Sequence, residues 1–195
     1  MGVWQAIHTL GQLVAFVLYF LLGGFILYKN PRALLNRLCC LLFVPFALWS
    51  LGDVLFAAAD SEAAAMLGMN IAALGWCTFP VSAFWFYLAF SRHNRVLRNR
   101  LLSGVCIAAA ILFVCLQWRG YLINNLARQP YGWSTVWSNS LWVDVFSAYY
   151  AVLVGACIYL SFVFARTAPT LREKKAARVL YIAPIPPLIG GGDYT

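Results

Sequence analysis

LLNRLCCLLFVPFALWSLGDVLFAAADSEAAAMLGMNIAALGWCTFPVSAFWFYLAF, residues 34–90, decides the fold. It contains two apolar runs, 34–59 and 63–90, separated by a short polar break at Asp60, Ser61 and Glu62. The first run carries Arg37 near one end and Asp53 near the other, and the second has no charge at all. Each is longer than the about 20 residues that an α-helix needs to cross the hydrocarbon of a bilayer. Both are therefore read as transmembrane helices.

Outward from this pair, further runs of similar character occupy 10–28, 101–118, 141–165 and 176–190, the last short and rich in proline. The whole chain agrees: of 195 residues, 63% are hydrophobic and only 10% charged, with a mean hydropathy of +0.78. A soluble domain of this size could not hide that much apolar surface from water. The fold class is an all-α integral membrane protein, with six helices visible of a seven-helix bundle and residues 1–195 forming one unit. Pro45, Pro80, Pro184, Pro186 and Pro187 should kink helices, which neighbouring helices can compensate inside a membrane. Gly23, Gly24, Gly68, Ala72, Gly75, Ala151 and Gly155 are the small residues that let membrane helices approach closely.

The net charge of +8 would suggest nucleic acid in a soluble protein, but its distribution gives another meaning. Lys29, Arg32 and Arg37 lie in the first connection, Arg92, Arg95, Arg98 and Arg100 in the third, and Arg166, Arg172, Lys174, Lys175 and Arg178 in the fifth. Twelve of the 14 cations thus fall on one side, leaving Arg119 and Arg128 opposite. Cytoplasmic loops retain Lys and Arg, so the amino terminus is predicted outside. No cation precedes the first apolar run and no small-residue cleavage site follows it, which argues for a retained anchor helix. The longest outer connection, 119–140, carries Tyr121, Tyr131, Trp133 and Trp137, aromatics suited to the membrane interface. The partners so implied are the lipid bilayer and a small ligand or membrane signal, with no nucleic acid.

Catalytic groups are absent from the pattern. Cys39, Cys40, Cys77, Cys106, Cys115 and Cys157 sit in apolar spans without Cys-x-x-Cys spacing and read as small buried hydrophobes. His8 and His93 are expected on opposite membrane faces, so they cannot jointly hold a haem or metal. Lys29, Lys174 and Lys175 lie in loops, which excludes a retinal Schiff base in these spans. No ionisable residue lies near a bilayer centre, as ion-coupled transport would require. Neither a cofactor nor a metal is expected. Two acids, Asp53 and Asp144, lie within about two turns of the outer helix ends, and such a depth is costly unless the group is paired or wet. Trp49 shares a face with Asp53, Asn70 and Trp76 could face them, and Asp144 shares a face with Ser147. These six residues form a candidate outward-opening pocket for a cationic or amphipathic ligand, the alternative being structural hydrogen bonds for both acids.

One family pattern overlays these spans. Asn30, Pro31 and Asn36 lead into a helix that ends in Ala47, Trp49 and Gly52; the next helix carries Phe79 and Pro80 before an aromatic run; and Pro130, Gly132 and Trp133 belong to a later PYGW. The chain resembles, over nearly its whole length, the N-terminal seven-transmembrane sensory region of bacterial and archaeal membrane histidine kinases. The resemblance implies a receptor in a prokaryotic cytoplasmic membrane that passes a signal to cytoplasmic output domains and dimerises through them. Those domains are typically a histidine-bearing helix pair and an ATP-binding kinase domain, here beyond residue 195, since the chain is expected to stop before the seventh helix. The same sensor joined to a diguanylate cyclase is an alternative output, and a small transporter or an accessory membrane protein is the rival function. Reporter fusions test the orientation: a cytoplasmic reporter should be active after Asn94 and silent after Asn139, and activity at the second site would invert the topology.

Overall fold

The structure, a computed structural model, describes residues 3–129 and 132–182. Five long helices dominate it: α1 (Val3–Lys29), α2 (Leu34–Ala58), α3 (Glu62–Phe90), α5 (Arg100–Trp118) and α6 (Leu141–Thr167). A one-turn α4 (Asn94–Leu97) lies between α3 and α5, strands β1 (Ile123–Gln129) and β2 (Gly132–Trp137) lie between α5 and α6, and α7 (Leu171–Ile182) follows α6. All five long helices are apolar and long enough to cross a bilayer. The last run, 176–190, is helical in α7 as far as Ile182, and its remainder with Pro184, Pro186 and Pro187 lies outside the described residues.

Polar side chains set the helix ends. The Asn30 side-chain oxygen accepts from the amides of Arg32 and Ala33, and the Asn36 amide reaches back to the carbonyls of Ile26 and Asn30, at 3.0 and 3.2 Å. The end of α1 and the start of α2 are thereby tied into one turn, with otherwise orphaned carbonyls satisfied. Ser61 caps α3 through the Ala64 amide, and Asn99 caps α5 through those of Leu101 and Leu102. At α7 the Thr170 hydroxyl accepts from the Glu173 amide and donates to its carboxylate, a variant of the capping box.

Helix α3 is the spine. Its apolar window is 67% buried, against 28% or less for the other four membrane-length helices, because α2, α5 and α6 each lie against a different face. Between α2 and α3 the backbones nearly touch. A Cβ added to Gly52 would collide with the backbone of Ala72, one on Gly68 would lie 2.5 Å from the Phe56 nitrogen, and one on Gly75 2.6 Å from that of Trp49. Gly68, Ala72 and Gly75 recur at helical spacing, so they form one groove into which α2 settles. Pro80 leaves the Trp76 carbonyl without its helical donor. One residue on, the Cys77 carbonyl accepts from the Tyr149 hydroxyl of α6 at 2.9 Å.

Helix α1 rests mainly on α2, where Gly23 touches Cys40 and Phe43 and Tyr19 stacks on Phe43 and Phe46. The rest of α1 is open, with Leu10, Phe20, Leu21 and Phe25 more than half exposed. A solvent-exposed surface of this kind is a lipid surface.

The strands are the main departure from the sequence reading, which left 119–140 as an interfacial loop. β1 and β2 pair antiparallel, with Leu126 opposite Thr135 and Gln129 opposite Gly132, and an irregularity between Ile123 and Asn125. The segment INNLARQ lacks apolar alternation, so its strand character comes from docking on the bundle. Gly52→Val or Gly75→Leu should cost about 3 kcal/mol or more through overpacking, read as loss of folded protein in detergent. Gly104→Ala, where nothing lies within 4 Å of the added carbon, should fold as the wild type does.

Candidate functional site

The end of the bundle opposite the basic loops, here termed the outer end, buries Gln117 beside Trp76, Phe113 and Phe146. At its centre is Gln117, near the end of α5 and 1% exposed. Its carboxamide oxygen accepts from the Ile123 amide at 3.0 Å, and its nitrogen donates to the Ile123 carbonyl and to the Asn70 side-chain oxygen, each at 3.3 Å. The side chain therefore acts as a strand partner for Ile123, satisfying both backbone groups of a buried residue. Beside it the Trp118 indole donates to the Asn70 carbonyl at 3.1 Å. Leu122 and Ile123, 0% and 3% exposed, are driven into the cluster formed by Met69, Trp76, Phe113 and Phe146.

The far strand is fastened as well. Trp133 donates its indole N–H to the Ala59 carbonyl at the end of α2, 2.9 Å away, and Arg128 lies over the Trp133 ring. Gly132 has φ of 133°, a conformation that disfavours any side chain, and it lies beside the Gln5 side chain of α1. Gln5 donates to the Ala57 carbonyl. Ser138 and Ser140 both donate to the Tyr121 carbonyl, closing the base of the hairpin just before α6. The hairpin thus touches α1, α2, α3, α5 and α6 together.

Of the six candidate pocket residues, the structure brings some together and separates others. Trp49 and Trp76 join one aromatic cluster in which Trp76 and Phe146 meet edge to face at 5.1 Å and Phe113 meets Phe146 at the same distance. Asn70 borders that cluster through Gln117. Asp53 is half-buried on α2, with no hydrogen bond or ion pair among the described residues. Asp144 and Ser147 lie on the exposed side of α6, where the Ser147 hydroxyl donates to the Val143 carbonyl; Phe146 between them turns inward. An open cleft exists elsewhere at this end, between the last turn of α2 and the first of α3, lined by Leu55, Ala58, Asp60, Ser61, Ala64 and Leu67.

The positions that carried the family pattern have structural duties. Asn30 and Asn36 build the first turn, Ala47 and Gly52 are buried, Phe79 packs between Phe46 and Tyr150, and Trp133 anchors the hairpin. Pro31 offers its carbonyl to the Arg37 guanidinium at 2.6 Å, and Pro80 is buried within α3. Pro130 and its neighbour Tyr131 lie outside the described residues. Gln117, Trp118 and Gln5 were missed by sequence reasoning. A glutamine inside an apolar run of α5 was the available signal, because an uncharged polar group at that depth needs partners. Among the described residues no three His, Cys, Asp or Glu side chains gather as metal ligands would. The chemistry on offer is amide hydrogen bonding and aromatic contact, suited to binding and conformational coupling.

Gln117→Ala strands the buried Ile123 amide, at a cost of about 1–3 kcal/mol. Hydrogen exchange at Ile123 should then speed up about tenfold or more, while the exposed Asn124→Ala leaves it unchanged. Equal protection in both variants would show that the hairpin is held by other contacts.

Comparison with curated proteins gives no match to the chain. Comparison with protein families does: residues 12–192 match the family described as the N-terminal 7TM region of histidine kinase. That match covers the first turn, the α2–α3 groove and α7 alike, and the chain therefore belongs to the family of N-terminal seven-transmembrane regions of histidine kinases.

Proposed function

We propose that this chain senses an external or membrane signal and relays it to cytoplasmic output domains of a histidine kinase in a prokaryotic plasma membrane. The observation that carries the reading is that one helix, α3, is held at both ends by side-chain contacts able to break. At the outer end it is tied to the hairpin through Asn70 and Gln117. At the opposite end Tyr87 donates to the Leu180 carbonyl of α7 at 2.8 Å, and Arg92, just past α3, pairs with Glu173 of α7 at 2.6 Å. Arg92 closes α3 in the left-handed conformation, φ 64°, with the His93 amide donating to the Leu88 carbonyl and its own to that of Ala89, a backbone cost that surrounding structure must offset. A ligand that favours one hairpin position shifts the balance between two packings of α3, and α7 reports the shift on the basic side.

Trp49, Asp53, Asn70 and Trp76 remain our proposed ligand contacts, entered through the outer face, with Asn70 the one already wired to the hairpin, whereas Asp144 and Ser147, on the exposed side of α6, stand apart from them. Dimerisation belongs, on this reading, to the output domains. These residues themselves carry no catalytic role; kinase activity is assigned to the full-length product.

The reading frame after Thr195 tests this proposal directly. It should encode a histidine-bearing helix pair and an ATP-binding domain, and the product in membrane vesicles should label itself on histidine with ATP. A stop codon shortly after one further span would instead favour a transporter or accessory protein, and a cyclase domain would redirect the output chemistry.

The α3–α7 contact gives a second test. The Thr170 hydroxyl, and after it the Arg92 charge, hold Glu173 below the ordinary glutamate range, which is about 4.3. A depressed carboxyl stabilises the fold fully above that ordinary value and loses its contribution as pH falls through its own lower one. Glu173→Gln should therefore loosen α7 at neutral pH, raising its hydrogen exchange severalfold. Acid should loosen it in the wild type alone.

A further inference from the structure

Where α6 turns back into α7, the two helices diverge and leave an open trough lined by Phe162, Ala165, Arg166, Arg178, Tyr181 and Ile182. Its lining is part cationic and part apolar. Arg166, on the last turn of α6, lies with its guanidinium 4.1 Å from the centre of the Phe162 ring, and Arg178 of α7 lines the same trough. Phe162 is one helical turn before Arg166 on α6 and Ile182 one turn after Arg178 on α7, so each arginine has an apolar neighbour on its own side of its helix. Phe162 also meets Tyr181 edge to face at 6.2 Å. Two cations thus line one trough together with aromatic and aliphatic side chains.

Among the described residues the two guanidiniums have no acidic partner. The single ion pair among the described residues, Arg92 with Glu173, occupies the nearby acid, and Glu173 is further held by Thr170. Like charges converging on one trough raise the local potential and call for a dianionic or diester oxygen cluster between them. The apolar side chains that line the same trough call for hydrocarbon. α6 crosses the bilayer by its length and composition, so its last turn lies at the lipid headgroup level.

We infer that the α6–α7 trough is a binding site for an anionic phospholipid, with the phosphodiester between Arg166 and Arg178 and one acyl chain along Phe162, Tyr181 and Ile182. Planar guanidiniums suit this role because they bind phosphate in a bidentate manner and tolerate an aromatic face. The site is independent of the sensory reading. It needs only that α6 spans the membrane, and it would stabilise α7 against α6 in either packing of α3.

The experiment uses the full chain in phosphatidylcholine nanodiscs containing phosphatidylglycerol, with retained lipid measured by mass spectrometry after release into detergent. The wild type should retain phosphatidylglycerol over phosphatidylcholine by about tenfold. Arg166→Gln with Arg178→Gln should abolish the preference, whereas Arg95→Gln with Arg98→Gln, on a different basic loop, should leave it intact. Phe162→Ala keeps both charges, removes the aromatic ring, and should reduce retention severalfold, which keeps the site testable if the double glutamine variant fails to fold. Unchanged retention in the trough variants would overturn the site. Equal loss in the Arg95 and Arg98 control would overturn it too, because only diffuse surface charge would remain as the cause. Displacement of the lipid by millimolar inorganic phosphate would show a free-anion site and refute the phospholipid assignment.

Discussion

The close approach of α2 and α3 is the contact on which the other arrangements depend. Lipid tails are as apolar as leucine, so helices inside a bilayer gain little from hydrophobic burial and must be drawn together by dispersion contacts and hydrogen bonds. Gly52, Gly68, Ala72 and Gly75 remove side chains where the two backbones meet, which maximises those contacts. With α2 seated, the remaining faces of α3 are left for α5 and α6, and among the helices α1 packs mainly on α2. This explains why α3 is interior and α1 almost wholly lipid-facing despite similar apolar content.

The ends of the bundle obey a different rule. Backbone groups of the hairpin and of the helix termini need partners wherever water is excluded. At the outer end those partners are side-chain amides and indoles: Gln117 for Ile123, Trp118 for Asn70, Trp133 for Ala59. Such bonds are each worth about 1 kcal/mol net, strong enough together to hold a defined packing and weak enough individually to be exchanged for contacts with a ligand. On the proposed reading that balance is what allows a seven-helix sensory region to move between states. The opposite end uses charge, through Arg92 and Glu173, because it lies among the basic loops where charges are hydrated.

Much of the fold was legible because the bilayer imposes a length and a hydropathy on any helix that crosses it. The helices α1, α2, α3, α5 and α6 all overlap the runs expected for them, though α1 begins at Val3 and α3 at Glu62, earlier than apolar content alone indicated, because helical hydrogen bonding does not stop where hydrophobicity does. The hairpin was not legible. Its first strand carries Asn124, Asn125, Arg128 and Gln129 in seven residues, and a strand whose pattern is set by docking leaves no period of two. The candidate pocket was legible only in part. Trp49, Asn70 and Trp76 were chosen from helical faces and do meet or border one cluster. Asp144 and Ser147 were also chosen by spacing, but spacing fixes which residues share a face and not which way that face points.

The amino-acid sequence by itself determined that this is a multi-helix membrane protein of the family of N-terminal seven-transmembrane regions of histidine kinases, and it marked the charged side and the glycines that allow close packing. Those properties are local, since each depends on the composition of one run or one loop against lipid or water. Tertiary structure alone decided which helix became the spine, that residues 123–129 and 132–137 pair over the outer end, and that Arg166 and Arg178 share one trough. Each of these joins residues far apart in sequence, and their partners are fixed only when the helices have packed and every buried polar group has found its donor or acceptor.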